Sequence, residues 1–167
     1  MAQSRTALPP VPAAVTTATR LRRDGRLTDA IAVVESALGR ARSGSYDVPF
    51  RNRVLLALTL ADLYVLAGER MRAHDLLTAE MPFAEHIFRL MEQHGTPDQV
   101  HAARAGVLQL RDRAMQVSIL GGLAAEFTIA QWFSGSPTTL AEQRGNVVLM
   151  EFWAPRCRSC AAMFAFL

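Results

Sequence analysis

The chain has 167 residues, half of them hydrophobic, with 18 basic side chains against 15 acidic ones for a net charge of +3. That length holds one ordinary domain or two small ones, and no run approaches the roughly 18 apolar residues that a membrane-spanning helix requires. Every basic residue is an arginine, and arginines alternate with acids instead of forming a basic stripe interleaved with aromatics, so no nucleic-acid partner is expected.

Residues 1–12 contain Pro9, Pro10 and Pro12 and no apolar period, which reads as a disordered arm. The opening MAQSRTALPPVPAAV lacks the apolar core of about 7 to 15 residues that marks a secretory signal. As written, the protein is expected in the cytoplasm; a missing leader would make it periplasmic or extracytoplasmic.

Residues 13–118 read as a helical domain. Apolar residues recur at helical spacing, and Gly or Pro marks the breaks, predicting helices over 13–24, 28–42, 51–67, 70–80, 83–94 and 97–118. Gly25, Gly68 and Gly95 stand where a left-handed residue would end a helix without a Cβ penalty. Thr96 and Gln99 have the spacing of a capping box, with Pro97 preset for the first turn. In the last helix Val100, Ala103, Val107, Leu110, Ala114 and Val117 share one stripe, the pattern of a packed amphipathic helix.

Two helix pairs share a pattern. Ala18, Leu21, Gly25, Ala30, Val34 and Ala37 keep the same mutual offsets as Ala61, Tyr64, Gly68, Ala73, Leu77 and Glu80. This resembles the tetratricopeptide repeat, in which small residues let two helices approach and a Gly turns the chain. The two copies are further apart than that repeat's period of about 34 residues, the excess falling in ARSGSYDVP, and Glu80 replaces a small residue. The resemblance implies a helical surface that takes a peptide or protein partner.

The texture changes at residues 119–124, a joint, and residues 125–167 read as a second, α/β segment. Phe127, Ile129, Trp132 and Phe133 alternate around a Ser134–Pro137 turn, a short helix is expected over 140–143, and NVVLMEFWA reads as a strand buried on both faces. The only cysteines, Cys157 and Cys160, follow it directly and describe one local dithiol rather than a disulfide scaffold. With AAMFAFL read as a helix, the first thiol meets the positive end of the helix dipole, which lowers its pKa, and the second is placed to resolve a mixed disulfide.

The stretch Trp132, Gly135, Pro137, Leu140, Gly145, Val147, Val148, Phe152, Trp153, Ala154, Pro155, Cys157, Cys160 resembles the opening of the TlpA/ResA type of thioredoxin-like thiol-disulfide oxidoreductase. The resemblance implies a thioredoxin fold, Cys157 as exposed nucleophile and Cys160 as resolving thiol. It also implies Trp153 packed beneath the active-site loop, with Pro155 completing the motif. Glu151 would relay the proton of the resolving thiol, or stand as an ordinary strand acid. Arg156 and Arg158 depart from the family pattern; two guanidinium groups there would favour the Cys157 thiolate and make the couple more oxidising than thioredoxin.

The family's cis-proline half has no counterpart before Leu167. A truncated product, an excerpt of a longer protein or a half-domain completed by another chain would each account for that, and residues 119–167 are expected to fold poorly alone and to aggregate. The implied function is thiol-disulfide exchange with protein thiols or disulfides as substrates, impaired by the missing half and needing no cofactor beyond the dithiol. The alternative is a non-enzymatic helical interaction module carrying a redox-inactive remnant. A zinc site is not expected, since His74, His86, His94 and His101 are scattered upstream without tight pairing.

Overall fold

Two helical hairpins turn in the same way. Helix α1 (Ala13–Arg23) ends where Arg26 N–H donates to Leu21 O at 2.8 Å and Gly25 N–H to Arg22 O at 3.1 Å. Helix α3 (Phe50–Leu66) ends with the same pair of bonds, Glu69 N–H to Tyr64 O at 2.8 Å and Gly68 N–H to Val65 O at 3.0 Å. Gly25 and Gly68 hold φ of +75° and +78°, a region where a Cβ would clash with the chain's own backbone. Each turn satisfies carbonyls that the helix end leaves open and reverses the chain, into α2 (Leu27–Ser43) and α4 (Arg70–His94) respectively. Helix α5 (Pro97–Ile119) follows α4 directly.

The computed structural model describes residues 10–44, 48–152, 154, 156 and 157, and every regular element among them is a helix. The chain divides into a helical unit ending at Gly121 and a second unit beginning at Gly122.

The helical unit is organised around α3, which packs against all four of the other helices. Its sequence explains this position. Val54, Leu56, Ala57, Leu60, Ala61, Leu63 and Tyr64 are all buried, and residues that follow one another point in different directions around a helix, so α3 is apolar nearly all round. The paired stripes of the two hairpins meet as their spacing predicts. Ala18, Ala30, Ala61 and Ala73 are fully enclosed, which lets the helix axes approach, while Leu21, Val34, Tyr64 and Leu77 fill the space between them.

Three expectations are corrected in this unit. The helices expected over 70–80 and 83–94 are one 25-residue helix, α4, with Pro82 inside it. Proline in a helix interior costs about 3 kcal/mol. Here the buried stripe Ala73, Leu77, Glu80, Ala84 runs through the proline unbroken, and packing against α3 and α5 outweighs the lost hydrogen bond. Gly95 is extended, with φ −88° and ψ 165°, rather than left-handed; it is small because a Cβ there would lie 2.7 Å from Met91 O. The tetratricopeptide resemblance is confined to the turns and facing stripes of the two hairpins and does not extend to the architecture. What the described residues build is a five-helix bundle, with α4 and α5 too long and α3 too central for a stack of short repeats.

The start of α5 follows the expected chemistry. Gln99 N–H donates to Thr96 Oγ1 at 3.3 Å and Thr96 N–H donates to Gln99 Oε1 at 2.8 Å, closing the capping box ahead of Pro97. Ala103, Val107, Leu110 and Val117 are buried on one stripe, and Gly106 lets α5 approach α3 closely.

The expected α/β segment is overturned. Among the described residues there is no strand, neither a hairpin around Phe127 and Ile129 nor the central strand over 146–152. Val147 is fully exposed, and Leu149 and Phe152 are more than 70% exposed, the reverse of a strand buried on both faces. The reason is pairing: a strand satisfies its backbone through a neighbour, and no partner strand exists among the described residues. The helix expected over 140–143 is instead a run of turns, held by Gln143 N–H to Leu140 O at 3.2 Å and Asn146 N–H to Gln143 O at 3.0 Å. Among the described residues, no helix is long and apolar enough to cross a membrane.

Candidate functional site

The residues singled out around the cysteines are only partly within the described structure. Trp153, Pro155, Arg158 and Cys160 lie outside the described residues. Cys157 is half-buried and disulfide-bonded, and its N–H donates to Ala154 O at 2.9 Å across a turn that leaves Arg156 exposed. Glu151 is half-buried; its Oε2 is shut off from solvent and accepts no hydrogen bond among the described residues. The strand expected to carry Glu151 is absent, and the implied relay to Cys160 lies outside the described residues.

Two carboxylates among the described residues of the second unit accept backbone amides away from the cysteines. Glu126 accepts the N–H groups of Leu140 at 3.1 Å, Phe127 at 3.2 Å and Ala141 at 3.3 Å, and these bonds, Leu140 foremost, hold its carboxyl below the usual range. Glu142 likewise accepts from Thr139 N–H at 2.9 Å and the Thr138 hydroxyl at 3.0 Å, with its carboxyl lowered by the Thr139 amide first. Both arrangements hold the turn over 138–146 in shape.

In the helical unit the start of α3 and the facing halves of α4 and α5 enclose an apolar groove of about 470 Å³. Phe83, Ile87 and Met91 come from one stripe of α4, Ala102 and Ala103 from α5, and Val48, Pro49 and Phe50 from the entry to α3. The wall of this groove is braced from behind. The Phe50 and Phe83 rings stand 6.2 Å apart at 40°, and the Arg53 guanidinium lies 3.6 Å over the Phe83 ring. Arg53 is in turn held by Glu80, Nε to Oε2 at 2.8 Å, while Arg42 Nε reaches Glu80 Oε1 at 2.7 Å. Glu80 is the residue that broke the hairpin pattern. It is buried, and the two arginines from α2 and α3 supply the charge that lets a carboxylate sit there.

A second polar cluster joins the hairpins. Tyr64 donates to Glu35, Arg72 reaches Glu35 Oε1 at 2.8 Å and Tyr64 Oη at 3.0 Å, and the Arg72 guanidinium lies 4.2 Å from the Tyr64 ring centre. Burial first, then the bond to Glu35, push the Tyr64 phenol up to about 12.

Sequence reasoning did not find the groove. Phe83, Ile87 and Met91 repeat every fourth residue beside the buried stripe of α4, which is a signal, but expecting separate helices over 70–80 and 83–94 detaches Phe83 from its context. Among the described residues no group of three or more His, Cys, Asp or Glu side chains could hold a metal ion.

What fold and site define together is a helical bundle with a braced apolar groove. No protein-family model matches the chain, and neither a curated protein nor a solved structure matches it. The resemblance to the thioredoxin-like family does not extend to the fold: that fold is built on a β-sheet, and the described residues contain none.

Proposed function

We propose that the helical unit is a protein-interaction module that takes spaced apolar side chains of a partner segment into the groove between α3, α4 and α5. The observation that carries this reading is the groove itself, about 470 Å³ of apolar space walled by half-buried Phe50, Phe83, Ile87 and Met91. Large side chains kept partly open to solvent on a braced wall suit a partner that supplies the missing contacts. The test is a displayed library of 12-residue peptides selected on the full chain. Peptides sharing apolar residues at helical spacing, and losing at least tenfold in affinity to Ile87→Asp, support the reading. Recovery of none, or of peptides indifferent to Ile87→Asp, overturns it.

A second reading, disulfide exchange at Cys157 with Cys160, is favoured by one observation: Cys157 is disulfide-bonded. This reading concerns the dithiol alone. In the exchange the two thiols reduce a partner disulfide, giving the internal disulfide and two partner thiols, with two electrons and two protons passing to the partner. It would place the protein in an oxidising compartment, where such a bond persists. Alkylation and mass measurement across glutathione buffers decide it: reversible two-electron oxidation with turnover of a protein disulfide supports it, and inert thiols refute it.

A further inference from the structure

Asn52 is 8% exposed, and one of its two polar atoms is satisfied. Its Nδ2 donates to Pro10 O at 3.1 Å, which ties the N-terminal arm to the first turn of α3. Its Oδ1 is closed to solvent and has no hydrogen-bond partner among the described residues. Exchanging the two amide atoms would set oxygen against the oxygen of Pro10, so the arm itself dictates this orientation.

An extended residue presents its own N–H and C=O side by side along one edge of the chain. A carboxamide can therefore grip one such residue twice, donating to its C=O and accepting from its N–H. Pro10 supplies the first partner and cannot supply the second, because proline has no N–H. Pro9 and Pro12 equally lack an N–H, and Pro10 and Val11 are exposed.

We propose that Asn52 is a main-chain clamp for an extended segment of a partner protein, and that the chain's own arm occupies it as a half-fitting, displaceable stand-in. A segment with an ordinary residue where Pro10 now lies satisfies both amide atoms of Asn52 and displaces the arm. The proposal rests on the reading of the helical unit as a protein-binding module and adds a second contact and a competing internal occupant to it.

The test uses the full chain and two synthetic octapeptides of residues 5–12, one native and one carrying Pro10→Ala, followed by the side-chain amide resonances of Asn52. The Pro10→Ala octapeptide binds at least fivefold tighter than the native one. When the protein itself carries Pro10→Ala, its own chain satisfies Asn52, so affinity for that octapeptide falls at least fivefold and the new backbone amide at position 10 exchanges more slowly than the same amide in the free octapeptide. Equal binding of the two octapeptides, binding of neither, or an unprotected amide at position 10 overturns the clamp. Weakening of the octapeptide by Ile87→Asp also overturns it, since the peptide would then lie in the groove; recovery of no library peptide, or only of peptides indifferent to Ile87→Asp, while the Pro10→Ala octapeptide keeps its preference, sinks the groove alone and supports the clamp.

Discussion

Arg53 and Glu80 meet through Nε and Oε2 at 2.8 Å, with the arginine side chain 12% and the glutamate side chain 3% exposed. The pair links α3 to α4 at the level where Phe83 enters the groove, because the same guanidinium covers the Phe83 ring. An acid on the buried face of a helix is thereby turned into a brace for an apolar wall.

Removing that acid isolates its cation. Glu80→Ala leaves Arg53 enclosed without a counter-charge, and breaking a buried pair from one side costs about 3 kcal/mol. Arg42 is 43% exposed and relaxes into water, so the loss is expected near that figure and not above it. Urea unfolding measures it; a change below about 1 kcal/mol would show that Arg53 finds water as readily as Arg42.

Gly106 marks the closest approach of α5 to α3. A Cβ there would lie 2.5 Å from Phe50 Cε1 and 3.2 Å from Val54 Cγ2. Gly106→Ala is expected to destabilise by roughly 1–2 kcal/mol, overpacking outweighing the gain of up to about 1 kcal/mol in helix propensity. Phe50→Leu opens the space, so the two changes together should cost less than their sum, and a double-mutant cycle on urea midpoints reads the coupling. Strict additivity would mean that the ring is not what fills the site.

Tyr64 makes stability depend on alkaline pH. Its phenol ionises near 10 in the unfolded chain and at about 12 in the fold, held protonated by burial and by Glu35. The contribution of Tyr64 is complete below pH 10 and is lost as pH rises toward 12, because the unfolded chain gives up the proton first; the total is about 3 kcal/mol. Unfolding midpoints measured from pH 9 to 11.5 should fall in the native chain and stay flatter in Tyr64→Phe. With Tyr46→Phe as background, phenolate absorbance should rise only near pH 12.

Acid acts on the second unit in the opposite sense. Glu126 and Glu142 have carboxyls lowered by the amides they accept, Leu140 and Thr139 first, so the turn is held above the ordinary glutamate range and released as pH falls through the lowered values. The amide shifts of Leu140 and Ala141 should follow that titration, and Glu126→Gln should abolish it. A midpoint at or above that of a free glutamate would contradict the hydrogen bonds.

Much of the helical unit was legible along the chain. The turns at Gly25 and Gly68, the capping box at Thr96 and the buried stripe of α5 are local events, decided within a few residues by φ, by side-chain reach and by the helical period. The strand expected over 146–152 rests on an equally clear pattern and is not there. Its residues favour an extended chain, but a strand exists only through a partner far along the sequence or on another chain. The same limit hid the charge brace, since nothing adjacent to Glu80 announces Arg42 and Arg53.

By itself, then, the order of residues determined where helices begin, where most of them end and which of their faces are apolar, because those outcomes depend on neighbours within one or two turns. Tertiary structure alone decided that α4 continues through Pro82, that Glu80 is buried between two arginines, and that three helices enclose a groove. Each of these is a sum over contacts between residues distant in sequence, large enough to override a local preference worth about 3 kcal/mol at the proline.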